Sequence, residues 1–465
     1  MTGTNHDHDC NDHGGRPLSR RGVMRGCGAS IALALAGGGI GVAAAEHQEE
    51  DDDFEEVADL LADMPDNWGR WGPDDGLGVL NVLGSEEMFE GMNAATRRGK
   101  KRIERFTLQI PITGFGVDTL HGGASGTTTD TGDAMFPGRF PARRDNWADA
   151  SDDTLALSTP GGMTFADDAF VSPLYLQGAT HADALGHGWY GDQIYNGYST
   201  DTTHTPRDFN IPVTGIQDLK QDRDGDGDQP ELGDVSRTHG LGEADISNAA
   251  GAGVAGRGVL LDVGRYKGTE GPDGDWLPLD PAPLDETAPD AAITLEDLHA
   301  TADAQGVELN EHDVLLIRTG ALERTVDPDA AWNALGEPGL TYSDALVEWV
   351  HEMDIPYVGA DNLAVEQIYQ TVTEDDLHEG RKHLHGDYAL PLHGAFLRDL
   401  GVTLNEVVDL SDLAAQCAED GIYDFLFTAA PLHAEGGTGG PINPVVLKAT
   451  GEKGEGDGNG NRGGH

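Results

Sequence analysis

The chain has 465 residues and a formal net charge of −53, from 29 Lys and Arg against 82 Asp and Glu. Phosphate binding needs basic surface, so this balance disfavours a nucleic-acid partner, while 38% hydrophobic residues and runs such as GVLLDV exclude an acidic disordered chain. A folded protein with this charge repels itself at low ionic strength and is relieved by screening, which predicts adaptation to molar salt.

The first feature in chain order is an address. Arg20 and Arg21 precede the apolar, Gly/Ala-rich GASIALALAGGGIGVAAA, and Ala43, Ala44 and Ala45 offer small residues for cleavage. Residues 1–45 are expected to be a twin-arginine signal region, with the protein exported to the cell surface or beyond. The apolar stretch is short and Gly-rich for a membrane anchor, so no span is expected in the mature chain. Cleavage there removes Cys10 and Cys27 and leaves Cys417, so neither an intramolecular disulfide nor a thiolate zinc site is available. The leading HDHDCNDH is expected to be discarded with the signal.

Residues 46–63 read as an acidic lead-in, helical toward its end, and residues 64–450 as one catalytic domain. Trp68 and Trp71, beside Asp74 and Asp75, suit either a substrate pocket or core packing. HGGASGTTTDTGD is Gly-rich but lacks the Gly-Lys-Ser/Thr ending of a phosphate loop. In YLQGATHADALGH an apolar lead-in gives way to small residues, as in a buried strand turning into a tight pocket. QDRDGDGDQPELG starts like a calcium loop with Asp222, Asp224 and Asp226, but its twelfth position is Gly233, not the bidentate Glu, so it reads as an acidic surface loop.

Further on, GVLLDV, DVLLIRTG, IPYVGADN and YDFLFTAAPL read as buried strands. ITLEDLHATADAQGVEL and LTYSDALVEWVHEM carry apolar residues at helical spacing behind a capping Thr or Ser. This alternation predicts an α/β domain. SDLAAQCAEDG reads as a helix with Cys417 as a buried thiol, and the Gly-rich residues 451–465 as a disordered tail.

The chemistry is concentrated in His181, Asp183 and His187. On a strand, residues two apart share a face, so His181 and Asp183 can reach one metal ion, and Gly186 allows a bend before His187. On spacing alone, three polar residues in a surface loop remain an alternative. Far downstream, His393 and Glu406 lie in apolar surroundings and offer a second pair of ligands. No Gly-x-Ser-x-Gly elbow is present, which disfavours a serine hydrolase.

The line QGATHADALGH resembles the His-x-Gly-Thr-His-x-Asp-x-Pro-x-His signature of the cyclase family of metal-dependent hydrolases, which includes kynurenine formamidase and isatin hydrolase. NWGRWGPDDGLGVLN, RGVLLDV, DVLLIRTG, VGADNLAVE, LPLHGAFLRDLGV and APLHAEGGTGGPINP extend the resemblance, in order, across most of the chain. It implies a swivelling β/β/α fold, a dimer, and hydrolysis of a small amide, aryl formamide, cyclic amide or lactone by metal-activated water. It also implies His181, Asp183, His393 and Glu406 as metal ligands and His187 as the catalytic proton donor and acceptor. Gln177 stands where the signature has its first His, and Ala179 and Leu185 also depart from it. The loss of a His ligand allows a single, oxygen-rich site, suiting Mn2+ slightly better than Zn2+, with His121 as a substitute ligand elsewhere in the chain. Two alternatives stay open: a cyclase or dehydratase acting on a small metabolite at the same site, and a metal-binding protein without catalysis.

Overall fold

Apolar runs with both faces covered build the centre of one large sheet. The computed structural model describes residues 54–97, 102–112, 174–209, 236–280, 290–327, 329–333 and 335–451, with short segments between 139 and 170. Nine strands form the sheet: β1 Arg102–Thr107, β2 His181–Asp183, β3 Val254–Asp262, β4 Val314–Arg318, β5 Tyr357–Ala360, β6 Thr403–Glu406, β7 Asp424–Ala429, β8 Gly439–Pro441 and β9 Val445–Thr450. Their spatial order is β1-β9-β7-β3-β4-β5-β6-β2-β8. Strands β3 to β6 run parallel, and the remaining pairings are antiparallel. The fold is therefore mixed α/β, with a parallel centre and antiparallel flanks.

Alternation along the parallel strands divides the core in two. Val259, Leu261, Leu315, Ile317, Val358 and Ala360 face one apolar cluster, and Leu260, Val314, Leu316 and Tyr357 face the other. Helices α1 Ser85–Ala95, α2 Leu295–Gln305, α3 Asp344–Glu352 and α4 Ser411–Asp420 pack around this sheet. Leu298 and Ala302 of α2 and Leu346, Val347 and Val350 of α3 fill the first cluster; Leu413, Ala414 and Cys417 of α4 fill the second.

The helix starts follow from local chemistry. The Thr294 hydroxyl accepts from Asp297 N, and the Asp297 carboxylate accepts from Thr294 N at 2.9 Å. The Ser343 hydroxyl caps Leu346 N at the start of α3. At Gly91, α1 lies so close to β3 that a Cβ would stand 2.6 Å from the Gly256 carbonyl oxygen.

The described residues belong to one compact unit, Glu49–His465. Leu60 and Leu61, at the end of the expected acidic lead-in, sit on a short helix, Val57–Leu61, and are buried in the first cluster. The folded core thus begins upstream of residue 64. Trp68 and Trp71 pack against the same cluster, and the Trp68 indole N–H donates to the Arg398 carbonyl at 2.8 Å, which settles them as packing residues. The expected signal region, His121 with the Gly-rich stretch around it, residues 221–233 and the residues past Gly451 lie outside the described residues.

Candidate metal centre

β2 is only three residues long, and its alternation sorts it cleanly. Ala182 enters the second apolar cluster, while His181 and Asp183 project from the opposite face and are buried. β6 pairs antiparallel with β2 and sets Glu406 opposite His181; β8 pairs on the other side and sets Gly439 opposite Asp183. The Asn405 side-chain amide donates to the His181 carbonyl at 2.6 Å and secures this register.

Sheet pairing thus brings three donors together. His181 Nε2 stands 3.1 Å from Glu406 Oε2 and 3.4 Å from Asp183 Oδ1. One ligand atom from each of these residues lies within 4.8 Å of the others. The His181 Nδ1–H donates to the Ala179 carbonyl at 2.7 Å, which turns Nε2 toward the carboxylates. Among the described residues, Asp183 Oδ2 and Glu406 Oε1 have no hydrogen-bond partner although both are buried. Donors bonded at about 2.1 Å to one tetrahedral ion stand about 3.4 Å apart. The spacing, the unsatisfied carboxylate oxygens and the imidazole–carboxylate chemistry all fit a divalent cation.

The other two expected residues lie beside this group. His393 ends a short helical turn, Pro391–His393, that continues into the π-helical Gly394–Leu400. Its Nε2 is 3.4 Å from Glu406 Oε1, and its Nδ1 is 2.7 Å from Glu366 Oε1. His187 stands on the more open side, its side chain 19% exposed, with Nε2 3.9 Å from Asp183 Oδ1. The His187 and His393 rings are 6.5 Å apart between centroids. The structure therefore gathers all five residues, with His181, Asp183 and Glu406 at the centre and the two remaining histidines toward solvent.

The electrostatics match this reading. Burial disfavours a charged His181, but hydrogen bonds and charges from Asp183 and Glu406 prevail and raise its pKa to about 9. At His393 burial is likewise outweighed, by Glu366 and Glu406, and the pKa rises to about 10. Burial pushes Asp183 upward, yet His187 and His181 hold its carboxyl well below the usual range. Glu406, opposed by burial and by Asp183, is also held low by His181 and His393. Without an ion, protons on imidazole supply the positive charge that these carboxylates demand. His187 differs: burial holds it below the ordinary histidine range.

Two participants carried no assigned role in the sequence. Glu366 lies within VGADNLAVE, and its carboxylate accepts from His393 N at 2.7 Å and Leu392 N at 2.9 Å while holding the His393 ring. No spacing rule connects it with His393, because a two-stranded hairpin, Tyr369–Val372 with Gly386–Ala389, intervenes. Arg139 is buried beside the site and donates to the Gln177 carbonyl at 3.1 Å.

Together these features define a mixed α/β protein with a buried imidazole–carboxylate centre at the edge of its parallel strands. Residues 171–367 match the family model described as "putative cyclase". A solved structure described as a novel cyclase is 29% identical with a TM-score of 0.56, covering 83% of this chain and 98% of that one. An isatin hydrolase bound to the product analogue thioisatinate is 15% identical (TM-score 0.39; 79% and 100% covered). Isatin hydrolase A from Ralstonia solanacearum is 16% identical (TM-score 0.38; 78% and 97% covered). No curated protein matches the chain. Residues 171–367 are thus similar to the cyclase family, and the chain shares its fold with the novel cyclase.

Proposed function

We propose that the protein is a hydrolase that cleaves a small amide, aryl formamide, cyclic amide or lactone with water activated at the His181–Asp183–Glu406 cluster. The family supports a metal-dependent hydrolase or cyclase. The observation that carries the finer reading is the buried donor set, with its unsatisfied carboxylate oxygens and the partly exposed His187 beside it. A Mn2+ or Zn2+ ion held there would lower the pKa of water to about 7 and polarise a carbonyl oxygen.

The chain's own groups do the rest. His181 is aimed by its bond to the Ala179 carbonyl, and His393 by Glu366, so both imidazoles present Nε2 without searching rotamers. His393 completes the proposed ligand set. His187 is the proposed catalytic side chain: on the open side, it can exchange a proton or a hydrogen bond with the reacting atoms. His181 and Asp183 on β2 are buried, and Val407, next to Glu406 in the chain, is buried in an apolar cluster with Ile110 and Leu363, so bulk water has little access to the ligands.

The same proposal places the enzyme outside the cell by the twin-arginine route, active in molar salt, and assembled as a homodimer. No helix among the described residues is long and apolar enough to cross a membrane. The test is hydrolysis of a panel of aryl formamides, cyclic amides and lactones in molar potassium chloride, with manganese or zinc and again after chelation. Turnover that chelation abolishes is the expected result. Replacing His187 with Ala should leave bound metal unchanged and lower kcat at least ~10²-fold. A metal-loaded protein inert on every member would favour metal binding without catalysis, and full activity in H187A would remove His187 from the mechanism.

A further inference from the structure

The Gln177 side-chain amide lies against the His187 ring. Its amide nitrogen has three neighbours: His187 Nδ1 at 2.9 Å, the Thr438 backbone carbonyl at 3.2 Å and Asp183 Oδ1 at 3.3 Å. A carboxylate and a carbonyl only accept, so this end of the side chain is the NH2 group and not the oxygen. The other end, Oε1, lies 3.4 Å from the Thr438 hydroxyl, which can donate to it. Two amide hydrogens thus serve three acceptors, and His187 Nδ1 is the nearest. The geometry is held in place: Gln177 is buried, and a Cβ on Gly439 would stand 2.8 Å from Gln177 Cγ. An N–H aimed at Nδ1 requires a lone pair there, which leaves the ring hydrogen on Nε2.

We infer that Gln177 is a positioning residue that holds His187 as the neutral Nε2–H tautomer, so that His187 meets the reacting substrate as a hydrogen-bond donor rather than as the base that deprotonates water. The catalytic half of this inference rests on the hydrolase reading above; the tautomer does not. A second proton on Nδ1 would confront the amide N–H, so charging the ring is opposed. Nε2, at 3.9 Å, is beyond hydrogen-bond reach of Asp183 Oδ1, and its N–H is available to an incoming oxygen. A neutral imidazole donor suits a carbonyl oxygen that gains negative charge. In this role His187 gives up no proton. Water adds across the bond that breaks, its hydroxyl joining the carbonyl carbon and its hydrogen reaching the leaving nitrogen or oxygen.

The test reads the tautomer directly, in zinc-loaded protein labelled with 15N-histidine in molar potassium chloride and without substrate. Long-range 1H–15N correlations report each ring, and the His187→Gln variant identifies the His187 signals by their loss. The expected pattern near neutral pH is an unprotonated Nδ1 and a protonated Nε2. Gln177→Met should abolish that fixed preference and lower kcat by about 10- to 100-fold with little change in KM. Gln177→Glu, whose carboxylate accepts, should move the proton to Nδ1; if the Met variant fails to fold, the wild-type spectrum and this variant decide. An Nδ1–H tautomer, an imidazolium or a zinc-bound Nε2 in the wild type would overturn the inference, as would unchanged His187 signals in Gln177→Met. A protein with the expected tautomer but no chelator-sensitive hydrolysis would sink the hydrolase reading and leave the tautomer assignment standing.

Discussion

Two regions along the same edge of the parallel strands handle buried carboxylates in opposite ways. At the ends of β3 and β4, Asp262 and Arg318 are register partners, both 1% exposed at the side chain, with Arg318 Nη1 2.7 Å from Asp262 Oδ1. Arg318 also forks onto Glu323 at 2.8 and 2.9 Å, and Arg265 Nε reaches Asp262 Oδ2 at 3.0 Å. Two strands away, at the end of β6, the carboxylates of Glu406 and Asp183 face imidazoles, and one oxygen of each has no hydrogen-bond partner among the described residues. A guanidinium cannot be deprotonated and offers no lone pair, so the first arrangement is closed to metals. An imidazole can shed its proton and coordinate, so the second exchanges protons for a cation. The contrast shows that buried acidity marks a candidate site only when its partners are titratable.

Glu337 is a third solution. Among the described residues it has no cation partner at bonding distance; its oxygens accept from the Trp332 indole N–H at 3.0 Å and Leu363 N at 2.7 Å. Burial pushes its carboxyl up to about 8, against those hydrogen bonds.

The sharpest way to break the comparison is Asp183→Asn. It should abolish stoichiometric zinc binding in equilibrium dialysis, and with it any metal-dependent turnover, while the metal-free protein melts only modestly lower than wild type, because His181 can shed the proton that Asp183 attracts. A metal-free variant that melts much lower would make Asp183 structural, like Asp262. Next in size is Arg318→Met. Leaving buried Asp262 with only the half-exposed Arg265 as cation partner among the described residues should cost up to about 3–5 kcal/mol in denaturant unfolding at high salt, with metal stoichiometry unchanged in the folded fraction. Loss of metal without loss of stability would reverse the assignment of the two regions.

Glu337→Gln tests the third arrangement through pH. The folded carboxyl near 8 lies above its ordinary value of 4.5, so between those values the folded state keeps a proton that the unfolded chain releases. Stability should therefore fall as pH rises through this window, by a total of about 5 kcal/mol from this group. The Gln variant, which cannot titrate, should flatten that decline in unfolding measured from pH 5 to 8. An unchanged slope would show that Glu337 is ionised in the fold. The smallest effect belongs to Glu366→Gln, which leaves the ligands in place and weakens only the orientation of His393. Zinc affinity should fall by about 10- to 100-fold, and a variant binding as tightly as wild type would detach Glu366 from the centre.

Parts of this organisation were legible in the sequence because they are local. The apolar runs of β3, β4, β5 and β7 and the capped helices α2 and α3 stand where periodicity and capping residues place them. The shared face of His181 and Asp183 follows from strand alternation alone. β6 and β8 were not legible. Thr403–Glu406 ends in two polar residues buried by the site, and Gly439–Pro441 has no strand propensity, so β6 is a strand through its pairing with β5 and β2, and β8 through its pairing with β2. The apolar surroundings of His393 and Glu406 mark them as a possible second pair of ligands and the family resemblance implies their roles, whereas Glu366 is reached by neither route.

The chain's own pattern determined its extreme acidity, which is a sum over the sequence, and its central apolar strands, two capped helices and one pair of donors, which depend on neighbours within a turn or two of backbone. Only the tertiary structure decided that Glu406 lies opposite His181, that Asn405 holds a carbonyl 224 residues away, and that Gln177 aims its amide at His187. Such contacts are made by strand pairing and burial across long stretches of chain, and no local periodicity encodes which distant strand will close the site.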